Sequence, residues 1–469
     1  MKRIYFSNTH AAEDRHIRVQ SNLNQKKHFR LKLPYIATFL MGLAITSTMT
    51  AQSTANTTPS DSLALPTVLK QVLANYPTLQ EAQQAIIAAN ARVGLSKSAY
   101  YPTISLSSSY SHIGPVSSIA FPGLGTFNMF PADNYSAAIN YDQTIYDFGK
   151  TAKNVAYANQ NSELAKLTES QIKQQLSWIV VGNFFTLDYL QQAIRIKDDE
   201  LKNLYDHLRF VEKKAATGSA TDYEILTTKV RISSIENQKT DLETSLKIAQ
   251  SQLNALLGKP QTTMVAVQNN LTAPYTFVSN DSLISVALKQ REEVKIANQK
   301  GLLAQMRLNN VNAANNPSVD FFANGGFKNG YFPVLSTPKA NYVVGVSLTV
   351  PLFDATRTKY NRIAAKSEIQ SAAQDKDLTQ RNVVNDVIQS YENVDASQQK
   401  VKQATLQVTQ AEKAYQLAET SFESGSITNL DLLDSAVALA ESRLSLVKTQ
   451  IDYTVSLYKL KIALGETIY

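Results

Sequence analysis

The chain has 469 residues, a formal net charge of +7 and no cysteine. The lack of cysteine excludes disulfides, thiolate zinc sites, cysteine nucleophiles and a lipidated N-terminal cysteine. Eight Lys and Arg residues but only two acids lie within residues 1–51, so the remainder of the chain is close to neutral. The positive charge therefore belongs to the N-terminal segment and does not indicate a nucleic-acid-binding surface.

This N-terminal segment has the pattern of a secretory signal. A basic stretch ends at Lys32, residues 34–45 are mostly apolar, and small or polar residues continue to Ala55. The pattern predicts a signal peptide over 1–55 with cleavage after Ala55, or alternatively after Ala51. A short membrane anchor is the alternative interpretation, although the apolar run is too short to span a bilayer as a helix. No other stretch is apolar enough, so any insertion of the mature chain into a membrane requires strands.

Short motifs recur along the chain in one order and indicate an internal repeat. Ala-Thr-Gly-Ser-Ala-Thr-Asp at 216–222 corresponds to Glu-Ser-Gly-Ser-Ile-Thr-Asn at 423–429, an offset of 207 residues. The same offset relates 145–148 to 352–355. Upstream the offset drifts, as expected if the intervening loops differ in length.

The repeat predicts the domain organisation. We expect a first copy over 56–258 and a second copy over 281–469, joined by a linker over 259–280 that contains two prolines and lacks helical periodicity. Each copy has the order helix, two strands, very long helix, tight turn, helix.

The long helix of the first copy is predicted from about residue 150 to 215, after an opening helix over about 61–98. Its apolar residues follow three- and four-residue steps, which is typical of a coiled-coil seam. Some 65 residues at 1.5 Å each give a rod of about 100 Å, longer than a single globular core. The second copy repeats this pattern.

Tight turns at 218–219 and 425–426 separate each long helix from its return helix. Each return helix begins with the spacing of a capping box, in which a threonine and an acid three residues later exchange hydrogen bonds. The two pairs are Thr221 with Glu224, and Thr428 with Asp431.

Four segments alternate between apolar and polar residues, which predicts strands with one apolar and one wet face. They are 102–112, 135–145, 318–327 and 342–352. Phe322 is an exception on the polar side. The apolar face is expected to include Ile104, Leu106, Ile139, Tyr141, Phe321, Val344, Val346 and Leu348.

A soluble sheet with one solvated face would show the same alternation. Two features favour a membrane: each strand is about ten residues long, and Tyr and Phe gather at the strand ends as in an interfacial girdle. Four strands cannot close a barrel, and open edges are not tolerated in lipid, so several chains must share one barrel. The connections 113–134 and 328–340 suit extracellular loops.

The order and motifs of the chain resemble those of the TolC-type outer membrane efflux proteins over essentially all of 61–469. The motifs that carry the resemblance are Pro102, Pro317, Tyr-Asp-Phe-Gly-Lys at 146–150, Pro-Leu-Phe-Asp at 351–354, and the run from Phe422 through Gly425-Ser426 to Asp431-Leu432-Leu433-Asp434.

The resemblance implies a mainly α fold with a β-barrel contribution, in a homotrimer located in the outer membrane of a Gram-negative cell and extending into the periplasm. Three chains would supply four strands each to a 12-stranded barrel, continued by a periplasmic α-helical barrel. The implied function is the passive exit duct of a tripartite efflux or type I secretion system, with a periplasmic adaptor and an inner-membrane pump as partners. No cofactor and no catalysis are implied.

The resemblance also implies residue roles near the periplasmic tip. Asp431 and Asp434, and more weakly Glu224, match the acidic rings that constrict the tunnel in the family. Capping of the helix is the alternative role for these acids. Some members close the gate with a basic residue just after the turn, where this chain has Ile427, so a different closing contact is expected. The residues expected to dock the adaptor are Gly218, Ser219, Gly425 and Ser426.

Three other interpretations remain to be compared. An enzyme has little support, because only His112 and His207 lie outside the leader, at a strand end and on a charged helix face, without a catalytic motif. A periplasmic structural coiled coil without a pore explains the rods but not the paired strands. A dedicated metal duct is unsupported, because the three methionines outside the leader do not cluster with histidine.

Overall fold

The computed structural model describes residues 62–123, 125–268 and 280–469. The signal peptide expected over 1–55 lies outside these residues, as does the part of the expected linker over 269–279. The elements of the first half are β1 (Leu63–Ala64), α1 (Leu65–Asn75), α2 (Pro77–Ser98), β2 (Thr103–His112), β3 (Ser118–Phe121), β4 (Gly125–Asn128), β5 (Asp133–Tyr146), α3 (Lys150–Ala216) and α4 (Asp222–Leu257).

The second half has the same main elements in the same order. They are β6 (Val267–Gln268), α5 (Asn280–Gln290), α6 (Glu292–Ala313), β7 (Ser318–Lys328), β8 (Lys339–Thr349), α7 (Arg357–Glu423) and α8 (Asn429–Ala463). The helices α2 and α6 each contain 22 residues, and α3 and α7 each contain 67. The predicted long helices are therefore present, each about 100 Å long at 1.5 Å per residue.

The opening helix of each half is broken, contrary to the expectation of one helix over 61–98. The break lies at Tyr76, and Pro77 is the first residue of α2. Proline cannot donate the hydrogen bond that would continue α1, but its fixed φ suits the first turn of a new helix. In the second half, Arg291 separates α5 from α6.

Two further expectations are corrected. The fourth strand is observed at Lys339–Thr349 rather than 342–352, and ends before Pro351, which has no backbone N–H to continue the ladder. The expected linker is not wholly irregular, because Val267 and Gln268 form a short parallel pairing with β1. The first long loop also contains a small hairpin of β3 and β4.

The main sheet has four antiparallel strands in the order β2-β5-β7-β8. The two strands of the first half, β2 and β5, pair with each other, as do β7 and β8 of the second half. The pairing of β5 with β7 joins the two halves. The strands β2 and β8 are edges without a partner within the described chain. The helices follow the same order, with α2 against α3, α3 against α6, and α6 against α7.

The apolar seam predicted on α3 forms part of the hydrophobic core of this helical layer. Val180, Phe184 and Leu187 are at most 1% exposed, and they contact α1 and α4 through residues such as Leu69 and Leu253. Full burial of each such side chain contributes about 1.5–3 kcal/mol. None of the described helices is long and apolar enough to cross a bilayer.

Candidate functional site

One face of the four-stranded sheet is apolar and exposed. The strand register places Ile104 beside Tyr141 and Leu106 beside Ile139, then Phe321 beside Val346. Val344 and Leu348 follow on the same face, opposite Ala323 and Val319. All eight residues predicted for the apolar face therefore share it.

These side chains are not packed against the helices of their own chain. Ile104 is 70% exposed, Ile139 58% and Val346 67%. A face of this kind, several strands wide and uncovered, is unusual for a soluble monomer and typical of a surface that meets another apolar phase.

The opposite face carries a ladder of polar side chains. Asn324 donates from Nδ2 to Oδ1 of Asn140 at 2.6 Å, and Asn140 donates to the Ser107 hydroxyl at 2.9 Å. The Thr144 hydroxyl donates to Asp320 at 2.7 Å. The polar groups thus cross three strands in a connected row, as expected for a face that stays in contact with water.

Phe322 breaks the polar face in the sequence, and its neighbour explains how it is accommodated. Gly345 lies opposite Phe322, and a Cβ at Gly345 would come within 2.5 Å of the phenyl ring. The ring therefore lies over a position that only glycine leaves open.

The passage from sheet to long helix has the same geometry in both halves. Asp147 accepts from the Thr151 N–H at 2.6 Å, and Asp354 accepts from the Thr358 N–H at 2.8 Å. Hydrogen bonds from Thr358 and from Asn315 hold the pKa of Asp354 well below its usual range. Each aspartate satisfies free amides at the start of its helix, which fixes the direction in which the helix leaves the sheet.

The residue before each long helix differs between the halves. Gly149 has φ 86°, whereas Thr356 has φ 66° at the equivalent place. Phe148 and Ala355, one residue earlier, both have φ 52°. A side chain in this left-handed region costs roughly 1–2 kcal/mol, so the second passage has one more strained residue than the first.

The two hairpin turns have the same geometry. Gly218 has φ 72° and Gly425 has φ 75°, and the next amides, of Ser219 and Ser426, each bond a carbonyl five residues back at 2.8 Å. This is the Schellman arrangement that ends a helix through a glycine. All four residues predicted to dock an adaptor are exposed at the ends of the hairpins.

The candidate gate acids Asp431 and Glu224 occupy the first turns of the return helices. Asp431 forms a complete capping box with Thr428: its carboxylate accepts from the Thr428 N–H at 2.9 Å, and its own N–H donates to the Thr428 hydroxyl at 3.2 Å. The hydrogen bonds from Thr428 lower the pKa of Asp431. Only half of the predicted box forms in the first copy, where the Glu224 N–H donates to Thr221.

Asp434 has a partner that the sequence did not indicate. Its Oδ1 atom lies 2.9 Å from Nη2 of Arg231, an ion pair that joins α8 of the second hairpin to α4 of the first. The two residues are 203 positions apart, so no local pattern could have revealed the contact. The charge of Asp434 is therefore balanced within its own chain.

His207 is half-buried and joins two hairpins, contrary to its expected place on a charged helix face. Its Nε2 lies 2.6 Å from Oδ1 of Asn429, a buried residue at the start of α8. The Asn429 amide donates in turn to the Thr228 hydroxyl and the Glu224 carbonyl of α4, at 3.4 Å each. Because the amide group is donating there, its oxygen faces the imidazole, and Nε2 carries the proton that it donates.

Burial and the neighbouring charged groups together determine the protonation state of His207. Burial lowers the pKa of His207, and Lys214 on the same helix acts in the same direction. Asn429, Glu224 and Glu419 act in the opposite direction but do not outweigh burial. The imidazole is therefore neutral near pH 7.

The described residues do not contain a group of three His, Cys, Asp or Glu side chains placed to hold a metal ion. His112, at the end of β2, forms a pair with Asp133 at 2.8 Å on an exposed strand end. The candidate functional regions are thus the two-faced sheet and, at the far end of the long helices, the tips of the two helical hairpins.

Comparisons with known proteins agree with this arrangement. The sequence profile of the family described as "Outer membrane efflux protein" matches residues 68–259 and 283–466. Outer membrane protein TolC of Vibrio cholerae is 22% identical over 407 residues, which cover 85% of this chain and 90% of that protein. Cation efflux system protein CusC of Escherichia coli is 23% identical over 415 residues, with 85% and 86% covered.

A solved structure shows the same fold. The crystal structure of the outer membrane protein VceC from Vibrio cholerae superposes with a TM-score of 0.73 at 19% identity, over 86% of this chain and 97% of that chain. The family profile matches most of each half. The chain therefore belongs to the outer membrane efflux protein family.

Proposed function

We propose that three copies of the chain form one 12-stranded barrel in the outer membrane, continued into the periplasm by an α-helical barrel, as the passive exit duct of a tripartite efflux or type I secretion system. The observation that carries the proposal is the exposed apolar face of a sheet whose two edges are open. Unpaired backbone groups are costly in lipid, so a four-stranded sheet can enter a bilayer only if its edges meet other strands.

The polar ladder supports the same arrangement. When the apolar face meets lipid, the ladder of Asn140, Asn324 and their neighbours lines the inside of the barrel. The long helices α3 and α7 continue from the sheet for about 100 Å, a length that suits a periplasmic tunnel. In this proposal the repeats over 56–258 and 281–469 each supply one sixth of the wall, because three chains contain six repeats.

The proposed partners are a periplasmic adaptor and an inner-membrane pump. The relatives include proteins named for cation efflux and for alkaline protease secretion, so the exported substrate differs among them. The turns at Gly218-Ser219 and Gly425-Ser426 are the proposed docking points for the adaptor, because they are exposed at the ends of the hairpins. Energy comes from the pump, and we assign no catalytic residue and no cofactor to the duct.

Asp431, Asp434 and Glu224 are the proposed gate residues. Three copies of Asp431 and Glu224 would place six carboxylates around a narrow axis, where they favour cations over anions. The ion pair of Asp434 with Arg231 supports a second role for this acid, as the closing contact that Ile427 cannot provide. Replacement of Asp431 by Asn should reduce cation preference in planar-bilayer recordings, while unchanged selectivity would remove Asp431 from the gate.

Cell fractionation tests the main proposal against a periplasmic structural coiled coil. The duct predicts that the protein sediments with the outer membrane, migrates as a heat-modifiable oligomer and conducts ions in planar bilayers. Recovery in the soluble periplasmic fraction, without conductance, would favour the coiled coil.

A further inference from the structure

The sheet contains one contact between the two repeats, and this contact can serve as a template. The strand β5 of the first repeat pairs with β7 of the second, with Asn140 opposite Asn324. The long helix α3 likewise packs against α6. A closed ring requires the reverse contact, from the second repeat of one subunit to the first repeat of the next.

The two repeats correspond residue by residue, so the reverse contact can be derived. The helix α6 begins 215 residues after α2, and α7 begins 207 residues after α3. Adding 215 to a residue of β2 and 207 to its partner in β5 converts each of the ten pairs of that ladder into a pair observed between β7 and β8. Leu106 with Ile139, for example, becomes Phe321 with Val346.

We propose that β8 of one subunit pairs antiparallel with β2 of the next in the register of β5 with β7, which places Ser347 opposite Ser109 of the partner subunit. The inference rests on the proposed trimer and specifies its interface. The template pair, Asn140 and Asn324, is in direct side-chain contact at 2.6 Å on the polar face. The derived pair lies on the same face, because Ser347 is opposite Asp320 and Ser109 bonds Ser136.

The helical layer gives a second contact by the same correspondence. Gln299 of α6 donates from Nε2 to the backbone oxygen of Gln160 on α3 at 2.8 Å. The equivalent positions are Gln84 on α2 and Ser367 on α7. Gln84 keeps the amide donor, and every residue offers a backbone oxygen, so the hydrogen bond can form again between subunits.

The exposure of these helices supports the derived contact. Gln160 and Gln299 are half-buried within the chain, whereas Gln84 and Ser367 are exposed. Beside Gln84, one turn further along α2, Ile87 is 59% exposed, and one turn before Ser367 on α7, Ile363 is 52% exposed. The partner subunit would cover these apolar side chains as α3 and α6 cover each other.

Disulfide cross-linking tests the register. Because the natural chain contains no cysteine, only the introduced cysteines can form disulfides. The pair Ser109→Cys with Ser347→Cys changes each residue by one atom. The matched controls combine Ser347→Cys with Ser107→Cys or with Ser111→Cys, which lie two residues away on the same face of β2. A disulfide needs Cβ atoms within about 4.5 Å, and a two-residue shift moves the partner by about 7 Å along the strand.

Membranes are treated with a mild oxidant, and the products are separated without reductant, while the mass of each purified variant in detergent is measured separately. We expect covalent trimer from the Ser109 pair and little from either control. Strong cross-linking of a control pair would overturn the register. The absence of cross-linking from every pair, in a protein that has the mass of a trimer, would also overturn it. Neither result would contradict the proposed trimer. A monomer mass would instead refute the proposed duct, and the register with it.

Discussion

A lysine on the apolar face measures whether that face meets lipid. Val346 is 67% exposed and lies two residues from the centre of β8, about 7 Å along the strand. A lysine at the bilayer midplane of a barrel costs about 2–4 kcal/mol and less towards the interface, so the lower end, about 2 kcal/mol, applies to Val346→Lys.

In the proposed trimer this cost is multiplied by three. Three substituted subunits lose about 6 kcal/mol per barrel, and since 1.4 kcal/mol corresponds to a factor of ten, the assembly equilibrium falls about 10⁴-fold. The assay is the amount of heat-modifiable trimer in the outer membrane at matched expression. We expect Val346→Lys to be almost absent from that fraction.

Two companion variants separate the lipid cost from other effects. Ile139→Lys lies on the inner strand β5, so its loss of trimer cannot be attributed to an open edge. Ala138→Lys changes the adjacent residue of β5, on the polar face, and should assemble normally because the ammonium group remains in water. Equal trimer yields from Ile139→Lys and Ala138→Lys would refute the assignment of the apolar face to lipid.

Three further predictions concern the helices. Arg231→Ala removes the ion pair with Asp434. Each exposed pair contributes about 0.2–1 kcal/mol, so the loss of three pairs should raise the open probability by at most roughly 100-fold. Unchanged bilayer conductance would exclude this closing contact. Because burial lowers the pKa of His207, the stabilisation by its neutral buried ring is fully present above about pH 6.5 and is lost as the pH falls further, when protonation would bury a charge. Amide protection at the hairpin tip should therefore hold above about pH 6.5 and fall below it, and His207→Gln should abolish this dependence. Thr356→Gly relieves a left-handed side chain and should stabilise the protein to thermal unfolding by about 1 kcal/mol, whereas Gly149→Ala should destabilise it.

The periodic parts of the fold could be predicted from the sequence because their signals are local. Alternation over ten residues fixes which side chains share a face of a strand, and three- and four-residue steps fix the seam of a helix. For this reason Ile104 and Val346 on the sheet, and Val180 and Phe184 on α3, lie where the pattern predicted. Pro77 was also a local signal for the break between α1 and α2, but the continuous helical period on either side concealed it.

The contacts between hairpins could not be predicted in the same way. Arg231 with Asp434, and His207 with Asn429, join residues more than 200 positions apart, so each pair depends on how the two hairpins pack. The sequence placed Asp431 both in a capping box and in the candidate gate, and its complete box with Thr428 confirms the first of these. The gate and docking roles of these residues stay predictions.

The ladder of amides and hydroxyls on the polar face has a consequence for the passage of solutes through the proposed barrel. Several of its donors and acceptors already satisfy one another across the strands, as in the contact of Asn324 with Asn140. A solute in the proposed barrel would therefore meet fewer unsatisfied groups to which it could bind, which would shorten its stay at any one level. Such a wall would tolerate solutes of unrelated chemistry, and selection among them would fall to the proposed pump and adaptor.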